Sequence, residues 1–130
     1  MLYCAKLQFI FLQEMDELIN WYNAVGSDVT KSNTVCNETR LARFKDHFGI
    51  YPRQCAFLWI LLSQEENFDS HARKNHLLWA LYWLKTNCTE KNAHGKFGMD
   101  EKTFRKWKYY FVLKIAELDR VSLFCACQFE

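Results

Sequence analysis

The sequence predicts an all-α fold: a small helical domain that ends in a helix-turn-helix. Three observations carry this. Apolar residues recur at three- and four-residue intervals through most of the chain, the repeat of a single helix face. The most apolar stretch, 76–86, shows no apolar–polar alternation, which argues against a strand there. One Pro and four Gly in 130 residues leave too few turn residues for a chain of many short strands. Half of the residues are hydrophobic and 17% are aromatic, so a chain of this length can bury the core of one domain.

The first helix is expected over 5–24, where Leu7, Ile10, Phe11, Met15, Leu18, Ile19 and Tyr22 share a face. Phe9, Leu12 and Trp21 widen its apolar surface beyond one stripe, so it should meet more than one neighbour. Gly26 and Ser27 are expected to end it. The turn-rich run 26–37, G-S-D-V-T-K-S-N-T-V-C-N, reads as a loop or linker between an N-terminal helix (1–25) and a helical domain (38–120). The next helix starts at Asn37 or Thr39, carries Leu41, Phe44 and Phe48 on one face, and stops at Gly49. Pro52 suits the first turn of a helix over 52–63, with Cys55, Ala56, Leu58, Trp59 and Leu62 inward. These two helices could form a helix-turn-helix, but the outer face of the second offers only Arg53 as a base, so the pair reads as a packing hairpin.

A charged connection, 64–74, leads to the central helix, with Ser70 or Asn75 as its cap. From Leu77 to Leu84 that helix is apolar on all sides. Thr89 then caps a short helix, Gly98 ends it, and Asp100 caps a long basic helix. Phe104, Trp107, Phe111, Ile115 and Leu118 form its inner face, so 89–118 is the helix-turn-helix. The last residues, 121–130, are expected to be an irregular tail.

The charge is unevenly spread. Residues 1–69 hold six Lys/Arg and nine Asp/Glu, whereas 70–130 hold eleven and six. The basic half points to an anionic partner. On the last helix, Lys102, Arg105, Lys106 and Tyr109 lie opposite the aromatic face, which is what a helix in a DNA major groove presents. Lys102 and Lys106 are expected to anchor on phosphates. Arg105 is expected either to read a guanine edge or to bridge to an acid near the core. Thr103 in the first turn, and Lys91 and Lys96 on the preceding helix, complete the candidate DNA-binding set. Lys108 lies close to the core face and should snorkel.

Other chemistry is not suggested. No C-x-x-C pair or H-x-x-x-H spacing supports a zinc site, and no nucleophile–base pair or phosphate loop supports an enzyme. The six Cys read as reduced thiols, several of them within apolar helical patterns. The N-terminal run lacks a basic leader and a clear small-residue cleavage site, and no apolar run reaches bilayer length.

Three segments together resemble a known family: 43–59 (R-F-K-D-H-F-G-I-Y-P-R-Q-C-A-F-L-W), 76–90 (H-L-L-W-A-L-Y-W-L-K-T-N-C-T-E) and 97–107 (F-G-M-D-E-K-T-F-R-K-W). They look like the N-terminal region of Harbinger/insertion-sequence-like DDE transposases. The last segment, with Asp100, Thr103, Phe104, Arg105 and Trp107, is the most specific, and the likeness covers about 40–118. The resemblance implies a DNA-binding helical region, which in that family precedes an RNase H-like nuclease domain whose carboxylates hold divalent metal. The stretch after Leu118 is too short for such a domain, so the nuclease is expected to be missing from this chain. The expected protein is therefore a non-enzymatic, nuclear DNA-binding piece without cofactor or metal. Its expected partners are double-stranded DNA and either a second copy or the absent catalytic domain; neither a membrane nor a small-molecule ligand is expected. The alternatives are a helical protein–protein interaction module, suggested by surplus Trp and Phe in 5–24 and 57–59, or a non-functional transposon relic. One departure stands out: four residues before the turn glycine, where the motif favours a small residue, this chain has His94, followed by Gly95.

Overall fold

The computed structural model describes the backbone of residues 2–118 and the side chains of 12–118. Six helices follow one another: α1 (Leu2–Thr30), α2 (Asn37–Phe48), α3 (Pro52–Ser63), α4 (Lys74–Thr86), α5 (Glu90–Phe97) and α6 (Glu101–Ala116). No strand occurs among the described residues. The all-α expectation holds, and the expected tail at 121–130 lies outside the described residues.

The chief correction concerns α1. It does not end at Gly26 and Ser27 but continues to Thr30, so the connection shrinks to 31–36. Tertiary packing overrides the local breaker signal. Gly26 is buried, and a Cβ at that position would lie 2.3 Å from Cδ2 of the Phe44 ring. The glycine lets α2 approach α1. Ser27 is 2% exposed, and its hydroxyl donates to the Asn23 carbonyl one turn back at 2.7 Å, so it carries no unmet polar group into the interface. Beyond Lys31, which adopts φ 56°, the chain turns into α2.

The helices are punctuated largely as the sequence suggests. Gly49 (φ 84°) and Gly98 (φ 76°) are left-handed C-caps, where a side chain would be strained. Thr89 accepts from the Asn92 N–H at 3.1 Å, and Asp100 accepts from the Thr103 N–H at 3.2 Å. Neither Ser70 nor Asn75 caps α4. Arg73 holds the cap position, and its N–H donates to His76 Nδ1 at 3.0 Å. Gln54 does the same in α3, accepting from the Tyr51 N–H at 2.9 Å. In both helices the third residue reaches back to the cap backbone, half of a capping-box arrangement.

The core gathers Tyr22 from α1, Phe44 and Phe48 from α2, Cys55, Leu58 and Leu62 from α3, Leu77 to Leu81 from α4, Ala93 from α5, and Phe104, Trp107 and Phe111 from α6. The central role expected of 76–86 is observed: α4 packs on α2, α3 and, most extensively, α6. Each large side chain buried here contributes about 1.5–3 kcal/mol by leaving water. Trp21 and Trp59, part of the apparent aromatic surplus, are partly buried against this core. Cys55 is fully buried, and burial pushes its thiol pKa up, so it behaves as a small apolar residue.

Candidate nucleic-acid interface

The seat of α6 is set first. Phe104 and Phe111 are fully buried, and the Trp107 indole lies flat on the His76 imidazole of α4, with centroids 4.4 Å apart and planes 12° from parallel. His76 also contacts Trp79 at 4.6 Å. Because Nδ1 accepts a backbone N–H, the ring proton of neutral His76 sits on Nε2. Burial, then the charges of Arg73 and Lys106, lowers its pKa from 6.5 to about 4. At the far end of α6, the Tyr110 hydroxyl accepts from the Asp69 N–H at 2.8 Å, and Lys114 pairs with Glu65 at 3.1 Å. The helix is therefore held along its length to α4 and to the 64–73 connection. Its regular part ends at Ala116, two residues short of Leu118, which is only partly buried.

Lys102, Arg105, Lys106 and Tyr109 are all exposed on the opposite face, at i, i+3, i+4 and i+7. They are not equally free. The Arg105 guanidinium grips the Glu90 carboxylate of α5 through two 2.6 Å hydrogen bonds, Nε to Oε1 and Nη2 to Oε2. Hydrogen bonding to Arg105 and its positive charge lower the Glu90 pKa, and the same contact raises that of Arg105. Of the two roles open to Arg105, the bridging one is observed, although its partner is on α5. Lys106 Nζ lies 4.7 Å from the Trp107 ring centroid, and neither it nor Lys102 forms an ion pair among the described residues.

The remaining candidates divide. Thr103 is half-buried and gives its N–H to the Asp100 cap. Lys91 is exposed on α5. Lys96 is half-buried, with Nζ 5.1 Å from the Tyr82 centroid; desolvation and then Lys31 lower its pKa, so it is packed rather than projecting. Lys108 does not snorkel as expected: its ammonium stays inside, the residue is 5% exposed, and Nζ lies 4.8 Å from the Trp83 centroid and 4.4 Å from that of Tyr109, so ring faces rather than water receive the charge. It thereby braces the Tyr109 ring.

The His94 departure has a simple resolution. Ala93 turns into the core with no exposure, and His94 points outward, with Nδ1 against the Met99 carbonyl across the turn. The small residue that the close approach of α5 needs is present, one position earlier. Gly95 faces open space.

Two neighbours of the basic face escaped the sequence reading. Arg73 stands at the start of α4, beside the His76–Trp107 stack, and only its backbone bond to His76 locates it there. Leu113 continues the outer face of α6 beyond Tyr109 and is 62% exposed, so the face turns apolar toward its end. Helical periodicity from Lys102 could have found Leu113.

Among the described residues, no group of three or more His, Cys, Asp or Glu is placed to hold a metal ion. No helix among them is long and apolar enough to cross a membrane. No protein-family model, curated protein or solved structure matches the chain.

Proposed function

We propose that the α5–turn–α6 unit binds double-stranded DNA, with the outer face of α6 against the duplex. One observation carries the reading: Lys102, Lys106 and Tyr109 stand exposed in a row on a helix whose other face is locked into an aromatic core. A rigid helix presenting cations at fixed spacing loses little side-chain and backbone freedom on meeting phosphates. Lys102, Lys106 and Lys91 supply the phosphate contacts. Tyr109, braced by Lys108, supplies a stacking or sugar contact. Arg105 acts in the unbound protein as a strut to α5. The resemblance to the N-terminal region of DDE transposases agrees with this role, and binding by this unit needs no nuclease domain.

The test is a mobility shift on a generic duplex across a salt series. About three phosphate contacts give a log–log slope of roughly −2 to −3. Lys102→Glu with Lys106→Glu should abolish the shift while leaving the melting temperature nearly unchanged, because both side chains are exposed. A flat salt response, or full binding by the double variant, removes the reading.

A second reading, a helical protein-interaction module, is favoured by Tyr109 and Leu113, which are 55% and 62% exposed one turn apart. It predicts self-association or partner capture that Leu113→Glu abolishes and that Lys102→Glu leaves intact; sedimentation distinguishes the two.

A further inference from the structure

Two exposed cations, Arg73 at the start of α4 and Lys106 on α6, meet the same pair of stacked rings at the α4–α6 seam. Arg73 gives its backbone N–H to His76 Nδ1 at 3.0 Å, His76 stacks on Trp107 at 4.4 Å, and Lys106 Nζ lies over the Trp107 ring at 4.7 Å. The His76–Trp107 stack thus links the backbone of Arg73 to the side chain of Lys106. The charges of both reach His76, the ring they flank. Both side chains are exposed, and neither forms an ion pair among the described residues. An acid close to Lys106, Asp69, is already committed: its Oδ1 accepts the His71 N–H at 2.8 Å and faces His71 Nδ1 at 3.4 Å.

We propose that Arg73, at the start of α4, forms with Lys106 a second phosphate-binding point for duplex DNA, so that the backbone is held by α4 as well as by the α5–turn–α6 unit. This rests on the DNA-binding reading and adds a contact outside the helix-turn-helix. The physical reason is spacing. A single helix presents its cations along one line, which fixes a duplex in translation but leaves it free to roll about that line. A cation on a second element, whose backbone is tied to the stacked rings, restricts that roll. The contact is electrostatic and carries no sequence information, so it strengthens binding alike on all duplexes.

The test compares Arg73→Gln, Arg73→Lys and Lys102→Gln with the unaltered chain, by mobility shift on two duplexes of unrelated sequence over a salt series. Arg73→Gln should weaken binding about 5- to 10-fold near 0.1 M salt on both duplexes, and reduce the salt slope by about 1. Arg73→Lys should recover most of the affinity, because a phosphate anchor needs the charge rather than the guanidinium fork. The bond to His76 uses the Arg73 backbone, so both variants retain it and should melt as the parent does. If Arg73→Gln leaves affinity and slope unchanged while Lys102→Gln lowers both, the second contact is overturned and the DNA-binding reading stands. If neither variant alters binding, the DNA-binding reading itself fails, and this inference with it.

Discussion

The imidazole of His76 lies almost parallel to the indole of Trp107, 4.4 Å between centroids, while its Nδ1 accepts the Arg73 N–H that opens α4. One neutral ring therefore joins α4 to α6 and caps α4 as well. Protonation puts a hydrogen on Nδ1, ends its role as acceptor, and places a charge beside Arg73 and Lys106.

This makes the fold sensitive to acid. His76 has its pKa lowered from 6.5 to about 4, so between those values the unfolded chain binds the extra proton and the folded one does not. Its contribution is complete above pH 6.5, falls as pH drops toward 4, and changes no further below that. Allowing for solvent screening at the rim of the ring, the loss amounts to about 1–2 kcal/mol. Urea unfolding at a series of pH values should show this slope. His76→Asn, which keeps an acceptor near Nδ1, should be less stable at pH 7 but flatter between 6.5 and 4. An undiminished slope in that variant assigns the effect elsewhere.

At Gly26 the expected outcome is steric. A Cβ would stand 2.3 and 2.4 Å from two atoms of the Phe44 ring, which is 2% exposed and packs on Phe48 at 4.7 Å, so it has nowhere to turn. Gly26→Ala should cost about 1–3 kcal/mol through overpacking, despite the better helix propensity of Ala. Combining it with Phe44→Leu should restore part of that loss. Denaturant midpoints with unchanged slope would measure both.

Gly95 should respond in the opposite way. It lies within α5, and no atom stands within 4 Å of where its Cβ would be. Gly95→Ala should therefore stabilise the protein by up to about 1 kcal/mol, and the proposed DNA binding should not weaken. A fall in melting temperature would show that α5 needs the glycine for a reason other than its own helical state.

The Glu90–Arg105 contact bears on the proposed DNA binding. Glu90→Gln removes a negative charge from the side of the basic helix and releases one guanidinium. Affinity for duplex DNA at low salt should rise about 3- to 10-fold, with a steeper salt slope, at the expense of a small fall in melting temperature. Unchanged or weaker binding would mean that the strut between α5 and α6 matters more to the complex than the freed charge.

The sequence alone determined the helical class, the central place of 76–86, the caps at Thr89 and Asp100, the glycine stops at 49 and 98, and the two-faced character of 101–116. All of these are local: each rests on a 3.6-residue repeat or on the backbone chemistry of one or two residues. Only the tertiary structure decided that Gly26 continues a helix, because its reason is a Phe44 ring eighteen positions away. It also decided that Arg105 is held by Glu90, that Arg73 stands beside the basic face, and that His76 is a structural ring between two helices. Each of these depends on which side chain another helix places opposite, and the periodicity of one helix carries no record of its neighbour.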